Sequence, residues 1–221
     1  MPDTAREKAI ATLVGRRSEI YAKRYVLDEA GNRKDIFPTA VTADVGRLLQ
    51  RLVVQEGART CMETGLAFAL STMWICDGLL RNDVSSHHVA IDAYQTSYWK
   101  RAGTIAIESA GIDDIVEIIE EDSALILPQF ALGGRRFDII FIDGNHLFEG
   151  VLLDLVFSGR LVRSGGLVII DDIWLPAVRR AVAFAVNNLR WTIETTYHSR
   201  VAVARVPEAA AARSWDDYHD F

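Results

Sequence analysis

Three aspartates that follow apolar runs are the residues with the most evident chemistry in this sequence. Asp143 follows the apolar run 137–142. Asp171 and Asp172 follow a second apolar run, 167–170. If the two runs pair, three carboxylates meet in a small volume and repel one another unless a cation lies between them. Oxygen ligands select hard ions, so this cluster predicts a divalent cation, with Mg²⁺ favoured and Mn²⁺ or Ca²⁺ compatible.

A geometric condition applies to the adjacent pair, Asp171 and Asp172. Successive residues of a strand point to opposite faces, so the two carboxylates can share an ion only if the strand ends there. Pro176 is placed to open a helix, which supports a turn directly after Asp172. The competing interpretation is that Asp172 caps that helix and Asp171 is a lone buried acid.

His146 is the candidate general base, and it lies close to Asp143 in sequence. An unperturbed histidine pKa of ~6.5 suits removal of a proton from a hydroxyl whose own pKa a metal has lowered. The neighbouring Asn145 carries an amide, which cannot act as a base. The competing interpretation is that His146 caps a helix that begins near Phe148 or stabilises the loop of the metal site.

These residues lie at the ends of predicted β-strands. From residue 40 onwards, short β-branched runs alternate with longer amphipathic stretches, which is typical of a parallel sheet flanked by helices. The predicted strands are Arg59–Glu63, His88–Asp92, Val116–Glu120, Phe137–Ile142 and Leu167–Asp171. The predicted helices are Leu70–Leu80, Ser97–Ala110, Ser123–Phe130, Phe148–Leu161 and Pro176–Leu189. Turns are predicted at Gly111, Gly133-Gly134 and Gly165-Gly166.

The pattern changes at both ends of this series. Two strand-like runs, Trp191–Tyr197 and Arg200–Val206, are so close that they must form an antiparallel hairpin. Near the N-terminus, Thr4–Tyr25 and Thr42–Leu52 are predicted helices, joined by a polar turn at 28–34. The sequence therefore predicts an α/β, Rossmann-like doubly wound sheet of seven strands. The sheet is mostly parallel with a C-terminal antiparallel hairpin, and helices cover both faces.

Composition excludes several classes of protein. The chain has 221 residues, half of them hydrophobic, and a formal net charge of -6 from 30 acidic and 24 basic residues. No apolar stretch reaches the ~18–20 residues of a membrane helix, so we expect no membrane partner. Residues 1–9 lack the apolar core of a secretory signal, so we expect a cytoplasmic protein. The acidic balance also disfavours nucleic acid. Cys61 and Cys76 lack the spacing of a zinc site and are predicted buried thiols.

Further polar residues lie at the predicted strand ends, where open parallel sheets bind their ligands. The first strand leads into Glu63-Thr64-Gly65, the second ends at Asp92, and the third leads to Asp122 and Ser123. Carboxylates at the ends of buried strands are partly desolvated, so they predict either ligand contacts or helix N-caps. The turn lacks the glycines of a dinucleotide fingerprint and of a P-loop, which argues against a phosphate-bearing ligand there.

In these motifs the sequence resembles the class I S-adenosylmethionine-dependent methyltransferases. Within that class it is similar to the small O-methyltransferases related to macrocin and catechol O-methyltransferases. The most specific part is the segment from Phe137 to His146, followed by the segment from Gly165 to Asp172. The Glu63-to-Gly65 turn resembles the family's first motif, and the terminal hairpin matches the family's fold.

The resemblance implies a role for each strand-end residue. The residues that it assigns to S-adenosylmethionine are Thr42, Glu63, Gly65, Ser71, Asp92, Asp122, Ser123 and Asp143. Asp92 resembles the acid that holds the ribose hydroxyls, and Asp122 with Ser123 resembles the segment that borders the adenine. Ala67 and Ala69 stand where relatives usually carry glycine, and we expect alanine to exclude the positive φ angles that glycine tolerates.

The expected activity is transfer of a methyl group from S-adenosylmethionine to a hydroxyl of a small molecule. The expected metal ligands are Asp143, Asp171 and Asp172, and His146 and Asp143 are the expected catalytic residues. A non-catalytic S-adenosylmethionine-binding protein is the alternative, since the altered glycine turn and Asn145 would fit lost activity. A nicotinamide-dependent oxidoreductase is less favoured because of the terminal hairpin.

The expected organisation is a single methyltransferase domain over residues 1–221. Within it, 1–55 form an N-terminal helical cap, 56–206 the cofactor-binding core and 207–221 a tail. The tail either lies free or docks on a partner subunit, so a homodimer is compatible with the sequence.

Overall fold

The structure, a computed structural model, describes residues 3–82, 85–208 and 214–221. The packing divides the chain into two compact units, residues 1–121 and 122–221. This division does not test the expected single domain with its cap, core and tail, which stays a prediction.

The first unit begins with a long helix and a small hairpin, after which helices and strands alternate. Its elements are α1 (Asp3–Lys23), β1 (Tyr25–Leu27), β2 (Arg33–Asp35), α2 (Ala43–Gln55), β3 (Thr60–Thr64), α3 (Leu70–Asn82), β4 (His87–Ile91), α4 (Ala102–Ala110) and β5 (Val116–Ile119). Strand β4 pairs in parallel with β3 on one side and with β5 on the other.

The second unit continues the alternation and ends in a hairpin. Its elements are α5 (Ser123–Leu132), β6 (Phe137–Ile142), α6 (Phe148–Leu161), β7 (Val162–Ile170), α7 (Pro176–Leu189), β8 (Thr192–Tyr197) and β9 (Val201–Arg205). Strands β6 and β7 are parallel, and β9 lies antiparallel between β7 and β8.

The larger sheet of the described chain has seven strands in the order β5-β4-β3-β6-β7-β9-β8. The strand order reverses along the chain, and the last two strands are antiparallel to their neighbours. This arrangement confirms the predicted Rossmann-like α/β fold with a mixed sheet and a C-terminal antiparallel hairpin.

Strands β6 and β7 hold the second unit together through apolar side chains. Residues 139–142 and 167–170 are buried throughout, which is typical of strands in a parallel sheet covered on both faces. Each such side chain contributes roughly 1.5–3 kcal/mol to folding. The polar residues that follow the two strands are therefore attached to rigid elements.

Several elements differ from the sequence-based expectation. The segment 28–34 was expected to be only a polar turn, but its end pairs with the chain before it as the β1–β2 hairpin. Helix α4 begins at Ala102 because Lys100 and Arg101 take left-handed φ angles of 52° and 59°. The turn predicted at Gly165-Gly166 is wrong, since both glycines lie inside β7.

Part of the predicted tail packs against its own chain. Residues 209–213 lie outside the described residues, so the structure bears on 214–221 only. The Phe221 ring lies 5.1 Å from that of Phe184 on α7, and the Asn188 side chain exchanges two hydrogen bonds with the backbone of His219. This described end of the tail is therefore docked within the second unit.

None of the helices in the described part of the chain is long and apolar enough to cross a membrane.

Candidate functional site

The aspartates predicted to gather at the ends of β6 and β7 do meet. The two strands pair in parallel up to Ile142 and Ile170, so the residues that follow them emerge at the same edge. Asp143 follows β6 directly, and Asp171 and Asp172 follow β7. The register of these two strands places all three carboxylates in one region of the second unit.

His146 joins two of these carboxylates. Its Nε2 lies 3.1 Å from Asp172 Oδ2 and 3.8 Å from Asp143 Oδ1. One possible ligand atom from each of the three residues lies within 4.8 Å of the others. The group therefore offers two carboxylate oxygens and one imidazole nitrogen to a cation.

The pKa values in this group are shifted by burial and by mutual contact. Burial raises the pKa of Asp143 to about 7, with a further rise from Asp171 and Asp172, although the contact with His146 opposes it. Contacts with Asp143 and Asp172 raise the pKa of His146 to about 10. In the metal-free protein at neutral pH, His146 is therefore an imidazolium that balances these acids.

Asp171 is held by Arg200 through both of its carboxylate oxygens. Arg200, in the β8–β9 turn, donates from Nε to Asp171 Oδ1 at 2.9 Å and from a terminal nitrogen to Asp171 Oδ2 at 3.2 Å. The Asp171 side chain is fully buried, and burial raises its pKa against the opposing effect of Arg200. Both oxygens of the Asp171 carboxylate accept hydrogen bonds from the Arg200 guanidinium. The predicted role of Asp171 as a metal ligand stays a prediction.

Asp172 is oriented by three contacts besides its position after β7. Its Oδ1 accepts a hydrogen bond from the Trp174 indole at 2.8 Å and lies 3.1 Å from an Arg200 nitrogen, while Oδ2 faces His146. Burial would raise the pKa of Asp172, but the hydrogen bonds from His146 and Trp174 and the charge of Arg200 outweigh it and lower the pKa.

The backbone at Asp172 explains how two successive carboxylates reach the same guanidinium. Its φ of 55° is left-handed, a conformation that aspartate tolerates better than most residues. The strand has ended by this residue, as the geometric condition required. Helix α7 has Leu175 at its N-cap without a side-chain hydrogen bond, so Asp172 does not cap it.

The loop before α6 presents His146. Asn145 accepts a hydrogen bond from the backbone of Leu147 at 2.8 Å, and its side chain occupies space that any Cβ on Gly150 would need. The N-cap of α6 is Leu147. Asn145 therefore shapes the loop, and His146 faces the acids instead of capping the helix.

In the first unit, Asp92 organises the loop that follows β3. Its Oδ2 accepts hydrogen bonds from the backbone of Leu66 at 3.1 Å and of Ala67 at 2.8 Å, and from Gln95 at 3.1 Å. Its Oδ1 accepts from the backbone of Tyr94 at 2.8 Å. Oδ2 is thus fully engaged, whereas Oδ1 keeps capacity for a further donor such as a hydroxyl.

The loop itself corrects one expectation. Gly65 has a φ of 93°, and Ala67 and Ala69 take positive φ angles of 43° and 64°. The expectation that alanine excludes this geometry is wrong. The hydrogen bonds from Ala67 to Asp92 and from Gln95 to the Ala67 carbonyl hold the left-handed backbone in place.

The other residues predicted to hold the cofactor are spread over both units. In the first unit, Glu63 is buried at the end of β3, Ser71 is buried in the first turn of α3, and Thr42 is the N-cap of α2, where it accepts a hydrogen bond from Val45. In the second unit, Asp122 caps α5 by accepting from Ala124, and Ser123 begins that helix. Their contacts to a cofactor stay predictions.

The comparisons with known proteins agree with this geometry. A family model described as a methyltransferase domain matches residues 62–173, from within β3 to just after Asp172. The chain belongs to this methyltransferase family. The predicted family is thereby confirmed. A comparison of the methyltransferase with curated proteins finds no match.

Solved structures show the same fold. The methyltransferase is similar to an O-methyltransferase from Bacillus cereus in complex with SAH, at 22% identity and a TM-score of 0.68, covering 89% of this chain and 90% of that chain. It is also similar to the O-methyltransferase TomG from Streptomyces achromogenes in complex with SAM, at 21% identity and a TM-score of 0.65, with 89% of each chain covered. SAH-bound methyltransferase PaMTH1 from Podospora anserina matches at 15% identity and a TM-score of 0.66, covering 93% and 88%.

Two charged or titratable residues of the methyltransferase were not singled out from sequence. The contact of Arg200 with the acids depends on the pairing of β9 with β7, because the register Ile170↔Ala202 brings the β8–β9 turn close to them. His88 is the first residue of a predicted strand and lies inside β4, where its Nε2 is 3.0 Å from Glu63 Oε1, a contact that the sequence does not indicate. In the sequence, both residues could have been noticed as a charged or titratable residue in or beside an apolar strand.

Proposed function

We propose that this methyltransferase transfers a methyl group from S-adenosylmethionine to a hydroxyl of a small-molecule acceptor, assisted by a divalent cation. The observation that carries the proposal is the cluster of Asp143, His146 and Asp172 at the ends of two buried strands, in a chain of methyltransferase fold. The solved structures with this fold include O-methyltransferases in complex with SAH and SAM.

The residues of the first unit suit an adenosyl donor. Asp92 Oδ1 keeps an acceptor site for a ribose hydroxyl, and Glu63 keeps one carboxylate oxygen without a partner among the described residues. Gly65 has no Cβ and a positive φ, so a ligand can approach the backbone closely. A donor that carries hydroxyls and an ammonium group, and no phosphate, matches these features.

The acid cluster suits a divalent cation. Asp143 and Asp172 supply the carboxylate oxygens that Mg²⁺ and Mn²⁺ prefer, and an imidazole nitrogen beside them favours Mn²⁺ over Ca²⁺. Such a cation, when bound, would polarise the acceptor hydroxyl and lower its pKa. Arg200 and Trp174 hold Asp172 Oδ1, which leaves Oδ2 directed at the cluster.

The residues of this chain then have distinct tasks. His146 accepts a proton from the acceptor only when the carboxylates that raise its pKa are otherwise neutralised. Otherwise it stays a cation and stabilises the ionised oxygen of the acceptor, whose proton then passes to solvent. Arg200 fixes the Asp171 carboxylate and opposes the rise in its pKa that burial causes, so the cluster is preorganised, and catalysis rests mainly on positioning and charge stabilisation.

The alternative of a non-catalytic cofactor-binding protein rested on the altered glycine turn and on Asn145. The turn keeps a left-handed conformation at Ala67 and Ala69, and Asn145 serves the loop that presents His146. The structure therefore offers no specific support for lost activity in the residues that it describes.

The test is methyl transfer to a panel of hydroxyl-bearing acceptors, with and without a chelator. We expect chelation, and the Asp172→Asn variant, to lower kcat/KM by roughly 100-fold or more. Glu149→Gln is the matched control, because it removes an exposed acid in the first turn of α6 outside the cluster. Activity that survives both chelation and Asp172→Asn would remove the metal from the proposal. Methylation only at nitrogen or carbon would overturn the hydroxyl acceptor.

A further inference from the structure

A buried polar cluster in the first unit has two side-chain atoms without a hydrogen-bond partner among the described residues. Glu63 near the end of β3, Thr72 on α3 and His88 on β4 are each 0% exposed. Thr72 donates its hydroxyl hydrogen to Glu63 Oε1, and His88 Nε2 lies 3.0 Å from the same oxygen. Glu63 Oε2 has no hydrogen-bond partner among the residues that the structure describes.

This distribution of donors is unequal. A buried carboxylate oxygen without a donor forfeits the hydration that it had in water, so native proteins rarely leave one unsatisfied. Here both protein donors converge on Oε1, although a carboxylate has acceptor sites on both oxygens. Oε2 is therefore the oxygen that a donor from outside the described chain can use.

The strand register shows where His88 stands. Ala90 is the residue of β4 opposite Glu63, and Cys61 is the residue of β3 opposite His88. His88 thus lies two residues before Ala90, towards the amino ends of the parallel strands, and its side chain reaches the Glu63 carboxylate from that side. Ligands of such sheets bind beyond the carboxyl ends, so His88 supports Glu63 from behind and does not itself reach a ligand.

The hydrogen bond also fixes the state of the imidazole. For Oε1 to accept at the 3.0 Å contact, Nε2 carries the hydrogen that it donates. His88 Nδ1 has no partner among the described residues. An aliphatic side chain would pack in such a core without leaving a polar nitrogen unsatisfied, so packing alone does not explain a histidine at this position.

We propose that His88 is a positioning residue for cofactor binding. Its Nε2–H holds Glu63 Oε1, together with the Thr72 hydroxyl, so that Oε2 is presented to the ammonium group of the S-adenosylmethionine methionyl moiety. The inference rests on the proposed function, because it takes that donor as the ligand.

The experiment compares His88→Gln with His88→Asn. The glutamine amide nitrogen can occupy the place of Nε2, whereas the asparagine amide is one methylene too short to reach Glu63. Both changes remove the ring from the core, so each is a packing control for the other. The dissociation constant of S-adenosylhomocysteine is measured by titration calorimetry, and the unfolding temperature is measured without ligand.

We expect His88→Gln to bind within about threefold of wild type and His88→Asn to bind about tenfold or more weakly. Equal affinity in all three proteins, or an equal loss in both variants, would overturn the positioning role. If wild type itself fails to bind, the proposed function fails first, and that result is distinct from equal binding.

A second measurement covers the case in which the asparagine variant does not fold. Nitrogen-15 NMR of the wild-type imidazoles, assigned by the signal lost in His88→Gln, reports the tautomer of His88. We expect an Nε2–H signal that is protected from exchange and that shifts when S-adenosylhomocysteine binds. An Nδ1–H tautomer, or a signal that the ligand does not move, contradicts the proposal.

Discussion

Asp171 and Asp172 are adjacent in sequence, yet their carboxylates make different sets of contacts. Asp171 is fully buried and accepts two hydrogen bonds from Arg200. Asp172 shares Arg200 but turns its Oδ2 to His146. At the scale of single residues, one acid therefore supports the structure and the other belongs to the cluster that can hold a cation.

The pair can be separated by two conservative variants. We expect Asp171→Asn to lower the free energy of unfolding by roughly 2–4 kcal/mol, because it leaves Arg200 without its buried partner, and to change Mn²⁺ affinity less than threefold. We expect Asp172→Asn to weaken Mn²⁺ binding at least tenfold. Urea unfolding and titration calorimetry measure the two effects. An equal loss of Mn²⁺ affinity in both variants would show that Asp171 is a ligand, as the sequence predicts.

At the scale of elements, the loop after β3 depends on a glycine in a neighbouring helix. A Cβ on Gly103, in α4, would lie 2.3 Å from the Ala67 carbonyl oxygen. Gln95 donates to that same oxygen at 2.9 Å. Close packing of α4 against the loop thus keeps the loop in its left-handed conformation.

Gly103→Ala tests this contact, with Gly15→Ala as its control. Both glycines lie in helices, where alanine is intrinsically favoured by about 1 kcal/mol. A Cβ on Gly15 meets no atom within 4 Å, so we expect Gly15→Ala to leave the protein as stable or more stable. Gly103→Ala should lower the unfolding temperature and weaken S-adenosylhomocysteine binding about tenfold. Unchanged binding in Gly103→Ala would mean that α4 does not shape the loop.

Several elements could be predicted from the sequence because local and global preferences agree. Strand β6 and helices α6 and α7 begin and end where the sequence predicts, with an apolar run in β6 and Pro176 at the first turn of α7. The β1–β2 hairpin could not be predicted, since its strand Arg33–Asp35 is short and wholly charged. The paired glycines Gly165-Gly166 predict a turn, which shortened the predicted β7. In the structure Gly165 does take a positive φ of 67°, but it lies within the strand.

The part of the candidate site that lies directly after the strands could be predicted from the sequence. Asp143 and Asp172 could be placed together because parallel neighbours end at the same edge. Arg200 and His88 could not, because their partners depend on the register between strands that are distant in sequence. The conformation of Ala67 was also beyond prediction, since hydrogen bonds from another loop override its intrinsic preference.

At the scale of the whole molecule, the acid cluster makes stability depend on pH. In the metal-free protein the pKa of His146 is raised from 6.5 to about 10, and that of Asp143 from 3.8 to about 7. The folded chain therefore binds more protons than the unfolded chain across these ranges, so the free energy of unfolding falls as pH rises. The contribution of His146 is complete below pH 6.5 and is lost towards pH 10.

Thermal unfolding in a chelator from pH 6 to pH 10 checks this sign. We expect the unfolding temperature of wild type to fall more steeply above pH 7 than that of His146→Gln, which has no group to titrate at this position. The difference between the two proteins removes the effect of lysines and tyrosines that titrate in the same range. Parallel curves would show that the folded protein does not hold the His146 proton.

The bulk properties of the chain bear on its partners only weakly. The chain carries a formal net charge of -6, and the small-molecule acceptor stays a proposal. A homodimer, a cytoplasmic location and the absence of nucleic acid stay predictions. Gel filtration with light scattering tests the first of these directly.

The position of Arg200 in the β8–β9 turn has a consequence for the order of assembly. The acids that follow β6 and β7 emerge from the ribosome before the hairpin that carries their guanidinium partner. Until β9 pairs with β7, the Asp171 carboxylate lacks this countercharge and the edge of β7 is open to another strand. Pairing of the last hairpin with β7 therefore covers that edge and brings Arg200 to Asp171 and Asp172 together.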